Sequence, residues 1–126
     1  MIDKQGKEYI ECVVGNIIGD HYYGESKEIR NGIKNFRAGA KVYCVFIYGG
    51  MGHENIVVFG LPRKSRRMIE IVIRTVYVKN FRVQKVYDPK ILAFLKKYID
   101  YIDSYGHFSS QEGLDYLNSQ HIEIKK

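Results

Sequence analysis

The sequence predicts a mainly β domain of the α+β class, a strongly bent antiparallel sheet of about five or six strands with amphipathic helices at its C-terminal end. Three observations predict it. Runs rich in β-branched residues recur at short spacing between residues 7 and 87, separated by glycine-bearing turns. At Asp88 the apolar period changes from two to three-and-four. The length of 126 residues suits one hydrophobic core, so residues 1–126 read as a single domain with a β part over about 7–87 and a helical part over about 88–119.

The first strand is "KEYIECVVGNIIG", Lys7 to Gly19, with a bulge expected at its one interrupting glycine, Gly15. The polar stretch "DHYYGESKEIRNG" carries two glycines and reads as a loop. A turn over Arg37–Ala40 leads into a strand from Lys41 to Tyr48. That strand is apolar at nearly every position, which predicts a central place in the sheet with both faces covered. "GGMGHE" supplies a flexible turn, and "NIVVFGL" (Asn55–Leu61) a further strand ended by Pro62. "PRKSRR" then sits at a hairpin tip. Beyond it Ile69, Ile71 and Ile73 share one face, while Met68, Glu70, Val72 and Arg74 share the other. "NFRVQKVY" (Asn80–Tyr87) is the last strand.

Asp88-Pro89 has the form of an N-cap followed by proline at the first helical position, where a missing N–H costs nothing. Ile91, Leu92, Leu95, Tyr98, Ile99 and Ile102 make one apolar stripe, so the helix is expected to run to about Ser104–Gly106. "SSQE" offers a capping box from Ser109 to Glu112 for a second helix carrying Leu114 and Leu117. "HIEIKK" reads as a frayed tail or an edge strand.

"IKNFRAGAKVYCV" resembles the turn-plus-strand of SH3-like small β-barrels, over Ile33 to Tyr87. "RAGAKVYCVFIYGG" together with "RKSRRMIEIVI" is similar to small bacterial proteins that lack an assigned activity. The first resemblance implies a curled sheet, the second a bacterial setting. Neither carries over a site residue.

Charge is distributed unevenly. Met1–Phe59 holds 7 Lys/Arg and 7 Asp/Glu, while Gly60–Lys97 holds 11 Lys/Arg against Glu70 and Asp88 alone. Tyr98–Lys126 holds 2 against 5, and the whole chain carries +6. The basic middle third bears on partners, not on fold. Its candidate contacts are Arg63, Lys64, Arg66 and Arg67 at the tip, extended by Arg74, Arg82 and Lys85 on the flanking strands. Such cations grip phosphate by displacing counterions, or meet acidic protein surfaces, or simply solvate a turn and guard an edge strand.

Eleven tyrosines and no tryptophan is a skewed aromatic choice, and tyrosine suits binding surfaces. Tyr22 and Tyr23 in the polar loop are the candidate contact pair, and Tyr77 with Phe81 would offer planar faces for bases. Asp20-His21 and His53-Glu54 lack ligand spacing, so no metal site and no cofactor is expected. Cys12 and Cys44 lie in apolar runs, where a thiolate is disfavoured; no GxSxG or phosphate-loop pattern occurs, and no catalytic residue is expected. No run is apolar and long enough for a bilayer helix, and the N-terminus lacks a secretory pattern, which points to the cytoplasm. The resulting expectation is a non-enzymatic binding module for an acidic protein surface, of an immunity or antitoxin kind. A nucleic-acid-binding small barrel using the basic 60–85 stripe is the alternative.

Overall fold

The computed structural model describes residues 1–18, 27–46, 55–61, 66–99 and 110–119. In chain order the elements are β1 (Ile10–Ile17), α1 (Lys27–Lys34), β2 (Lys41–Phe46), β3 (Asn55–Gly60), β4 (Ile69–Arg74), β5 (Val78–Val86), α2 (Pro89–Lys96) and α3 (Gln111–Ser119). The strands form one antiparallel sheet of order β4-β3-β2-β1-β5. β2 lies at its centre, as the unbroken apolar pattern of "KVYCVF" requires.

β4 and β5 stand at opposite ends of this order, yet only the 3₁₀ turn Thr75–Tyr77 joins them. Four strand spacings of a flat sheet would separate them by roughly 19 Å. The chain from Arg74 to Val78 reaches at most about 14 Å. The sheet therefore curls, bringing the end of β4 round toward the start of β5. It stays open, since no ladder joins those two strands among the described residues.

Each face of the sheet carries its own buried apolar cluster. On one face Val13, Ile17, Val42, Cys44, Ile56, Val58 and Ile73 meet Ile33 and Phe36 from the α1 region and Leu114 and Leu117 from α3. On the other, Ile10, Cys12, Val14, Tyr43, Val45, Val57 and Phe59 meet Leu92 and Leu95 of α2, with Met68, Ile91, Phe94 and Tyr98 packed around them. The helices are thus divided between the faces rather than gathered at one end.

α1 corrects the loop expected over this polar stretch. Its composition is polar, but Ile29, Ile33 and Phe36 recur at four- and three-residue spacing, a short stripe interrupted by Gly32. Gly32 lets the helix lie against β4, because a Cβ there would already sit 3.3 Å from Ile71 Cγ2. The bulge is present, but its extra residue is in β5. Val14 faces Arg82 and Asn16 faces Lys79, leaving Asn80 and Phe81 opposite Gly15 alone. Asn80 takes the left-handed conformation, φ 56°, that such an insertion demands.

Asp88 caps α2 as expected: its Oδ1 accepts from the Lys90 N–H at 2.9 Å. α2 closes at Lys96 in a tight turn, the Lys97 and Tyr98 N–H groups bonding back to Phe94 and Leu95, and helical backbone resumes at Ile99. α3 begins one residue later than expected. Ser110, not Ser109, is the cap, and its Oγ accepts from the Gly113 N–H at 3.1 Å. The side-chain amide of Asn118 then meets β5 at both backbone groups of Phe81, accepting from its N–H at 2.7 Å and donating to its carbonyl at 3.2 Å. This clasp occupies a ladder position on an edge strand. The "GGMGHE" turn, the expected helix end at Ser104–Gly106 and the "HIEIKK" tail lie outside the described residues. Among those described, no helix is long and apolar enough to cross a membrane.

Candidate ligand cleft

On the α2 side of the sheet a cleft of about 760 Å³ opens between the start of β2, the end of β3, the residues leading into β4, and α2. Alternation places Lys41, Tyr43 and Val45 on this face of β2 and Val57 and Phe59 on this face of β3. α2 lies over the middle of them and leaves the end near Lys41 open. The floor is apolar, made by Tyr43, Met68, Ile91 and Phe94. Around it stand four cations, Lys41, Arg66, Arg67 and Lys90, against one carboxylate, Asp88.

That carboxylate caps α2, and one negative charge against four positive ones leaves the rim cationic. Lys41 is steadied from both sides: its Nζ donates to Gln84 Oε1 at 3.1 Å and sits 5.3 Å from the centre of the Tyr43 ring. A fifth cation, Lys97, rests 4.7 Å from the centre of the Phe94 ring. Burial pushes the Tyr43 phenol up, so the floor stays neutral at ordinary pH. An apolar floor beneath a ring of cations suits a ligand that joins an apolar body to anionic groups. The ammonium and guanidinium groups fix the anion, and the floor rewards what is attached to it.

The stripe expected over residues 60–85 holds together in part. Arg66 and Arg67 reach the cleft. Arg74 and Arg82 are exposed on the same sheet face, but on the two strands at opposite ends of the order. Arg82 is occupied in the fold, its Nη1 donating to Asn16 Oδ1 at 2.9 Å and to the Asn80 carbonyl at 2.8 Å, which braces the bulge. Lys85 points to the other face, where it lies 5.1 Å from the centre of the Tyr9 ring. Tyr77, expected as an exposed contact, is only 2% exposed and belongs to the core; Phe81 is buried beside it. The curl explains both. It turns the β4–β5 corner inward, so rings placed there fill the core instead of meeting solvent. Arg63, Lys64, Tyr22, Tyr23 and the two Asp/Glu–His pairs lie outside the described residues.

Lys41, Lys90, Tyr43 and Phe94 were not anticipated. Strand parity puts Lys41 and Tyr43 on one face, and helical spacing puts Lys90 and Phe94 on one side of α2. Only the seating of α2 on that sheet face unites them, and periodicity does not encode it. Cys12 and Cys44 are buried and unpaired with each other; burial pushes the Cys12 thiol up to about 12 and raises Cys44 in the same sense. Both remain protonated near neutrality, where neither is a nucleophile. No group of three or more His, Cys, Asp or Glu among the described residues is placed to hold a metal ion. Comparison with protein-family models, with curated proteins and with solved structures found no match in any of the three.

Proposed function

We propose that the chain is a non-enzymatic protein-interaction module of the bacterial cytoplasm, of an immunity or antitoxin kind, whose cleft receives an acidic segment of its partner. The observation that carries this reading is the pairing of an apolar floor with Lys41, Arg66, Arg67 and Lys90 at the rim. The occupant is a segment with an apolar side chain between Asp or Glu residues, the former on Tyr43 and Phe94, the latter on the rim. Two unpaired buried thiols fit a reducing compartment. For the scaffold we propose an SH3-like small barrel, supported by the order β4-β3-β2-β1-β5 and by the three-residue link that draws β4 toward β5.

A nucleic-acid reading is favoured by one observation, the exposure of Arg74 and Arg82 on the same face as the cleft. It is weakened by the burial of Tyr77 and Phe81, the two rings expected to offer planar faces to bases.

Fluorescence titration with two labelled probes separates these readings. The probes are a peptide alternating Asp/Glu with Leu and Phe, and a random single-stranded oligonucleotide. The peptide is expected to bind, more weakly as salt rises. The pair Arg66→Glu and Lys90→Glu, both at exposed positions, is expected to weaken it at least about tenfold without moving the thermal midpoint. Oligonucleotide binding without peptide binding would transfer the function to the second reading, and failure of both probes at low salt ends the binding proposal.

A further inference from the structure

The outer edge of the sheet at β4 has a pattern that matches itself. β4 pairs with β3 on one side, and no strand of the described residues pairs with its other side. On the α2 side of the sheet its side chains are Glu70, Val72 and Arg74. Val72 is 50% exposed, an unusual place for a β-branched apolar residue on an edge strand. Edges are ordinarily blunted by charged side chains, by proline or by a bulge. Here an acid and a base stand at equal distances, two residues either side of Val72.

We infer that β4 pairs with β4 of a second copy of this chain, antiparallel, across a two-fold axis at Val72. Antiparallel pairing about that point sets Val72 opposite Val72 of the second copy. It also sets Glu70 opposite Arg74 of the second copy, and Arg74 opposite its Glu70. Two opposite-charge cross-strand pairs then flank an apolar one, each arrangement favourable on an antiparallel ladder. Moving the axis by two residues would set Glu70 against Glu70 or Arg74 against Arg74, so the register is selected as well as permitted. On the other face Ile71 would lie opposite Ile73 of the second copy, continuing the isoleucine row that α1 covers beside Gly32. Glu70 is held on its own face by Tyr98, whose Oη donates to Oε2 at 2.7 Å. This is a closed, isologous contact, which ends at two copies instead of growing into a filament. It joins two five-stranded sheets into one of ten.

Sedimentation of the full chain over a range of concentrations tests it, together with cross-linking through Val72→Cys. The native thiols Cys12 and Cys44 are buried, so the introduced thiol is the one that reacts. The chain is expected to be a dimer, and Val72→Cys to give a disulfide-linked dimer under mild oxidation. Lys79→Cys, exposed on the opposite edge strand, is expected not to do so. Glu70→Arg alone puts arginine opposite arginine twice and is expected to weaken the dimer at least about tenfold. Adding Arg74→Glu restores opposite signs and is expected to recover it. A chain that stays monomeric at its highest soluble concentration overturns the inference. So does a dimer that neither cross-links at position 72 nor responds to Glu70→Arg.

Discussion

Phe59→Ala is expected to lose about 3–5 kcal/mol of stability, a large share of the roughly 5–15 kcal/mol that holds a domain folded. Phe59 is 0% exposed, and its ring centre lies 6.1 Å from that of Tyr43, 6.0 Å from Phe94 and 6.2 Å from Tyr98. It is the ring through which β2, β3 and α2 are joined. Truncation removes its own burial and leaves a cavity that the neighbouring strands are too constrained to close. Thermal unfolding should fall by roughly 10–20 °C. Phe59→Leu, which keeps most of the volume, should cost only about 1–2 kcal/mol. A loss below about 1 kcal/mol for the alanine variant would mean that α2 is not seated on this face. The same variant should lose affinity for any cleft ligand before it unfolds, because Tyr43 and Phe94 depend on Phe59 for their positions.

The second large effect is expected at Gly15, where the limit is space and not backbone conformation. A Cβ there would collide with Val78 Cγ1 and stand 3.1 Å from the Lys79 carbonyl oxygen. The carbonyl belongs to β5 beside the bulge, so it cannot retreat without disturbing the longest ladder in the sheet. Gly15→Ala should therefore destabilise by about 2–3 kcal/mol. Gly39 makes the opposite case. Its φ of +83° favours glycine but nothing lies within 4 Å, and Gly39→Ala should cost only about 1 kcal/mol of strain. Placing Gly15→Ala in a Val78→Ala background removes the colliding methyl group. Denaturant unfolding of the double-mutant cycle should show the two changes to be less than additive by about 1 kcal/mol or more. Strict additivity would show that the close approach of β1 and β5 is not what the glycine serves.

The sheet was legible because alternation is local. Ile69, Ile71 and Ile73 fall on one face of β4 in sequence and in space, and the unbroken run at β2 announces a strand covered on both sides. Asp88-Pro89 fixed the start of α2 by cap chemistry alone. What escaped depends on contacts between distant segments. The α1 region carries Ile29, Ile33 and Phe36 at helical spacing, a signal of three residues set in a polar stretch with two glycines. The basic stripe required its cations to share one face of the sheet. Arg82 and Lys85 are three residues apart on regular strand, so alternation puts them on opposite faces, and Tyr77 fills the core at the corner between β4 and β5. Half of the cleft's rim, Arg66 and Arg67, lay in the basic tip that drew attention; the other half, Lys41 and Lys90, came from segments that looked purely structural.

Cys12 and Cys44 sit on neighbouring strands but look in opposite directions, one toward α2 and the other toward α1 and α3. Each sulfur is thus a native gauge of a separate hydrophobic layer. Modification rates at the two sites, followed by mass spectrometry, would distinguish detachment of α2 from release of the helices on the reverse side. Equal rates would signify that the whole molecule opens in a single event.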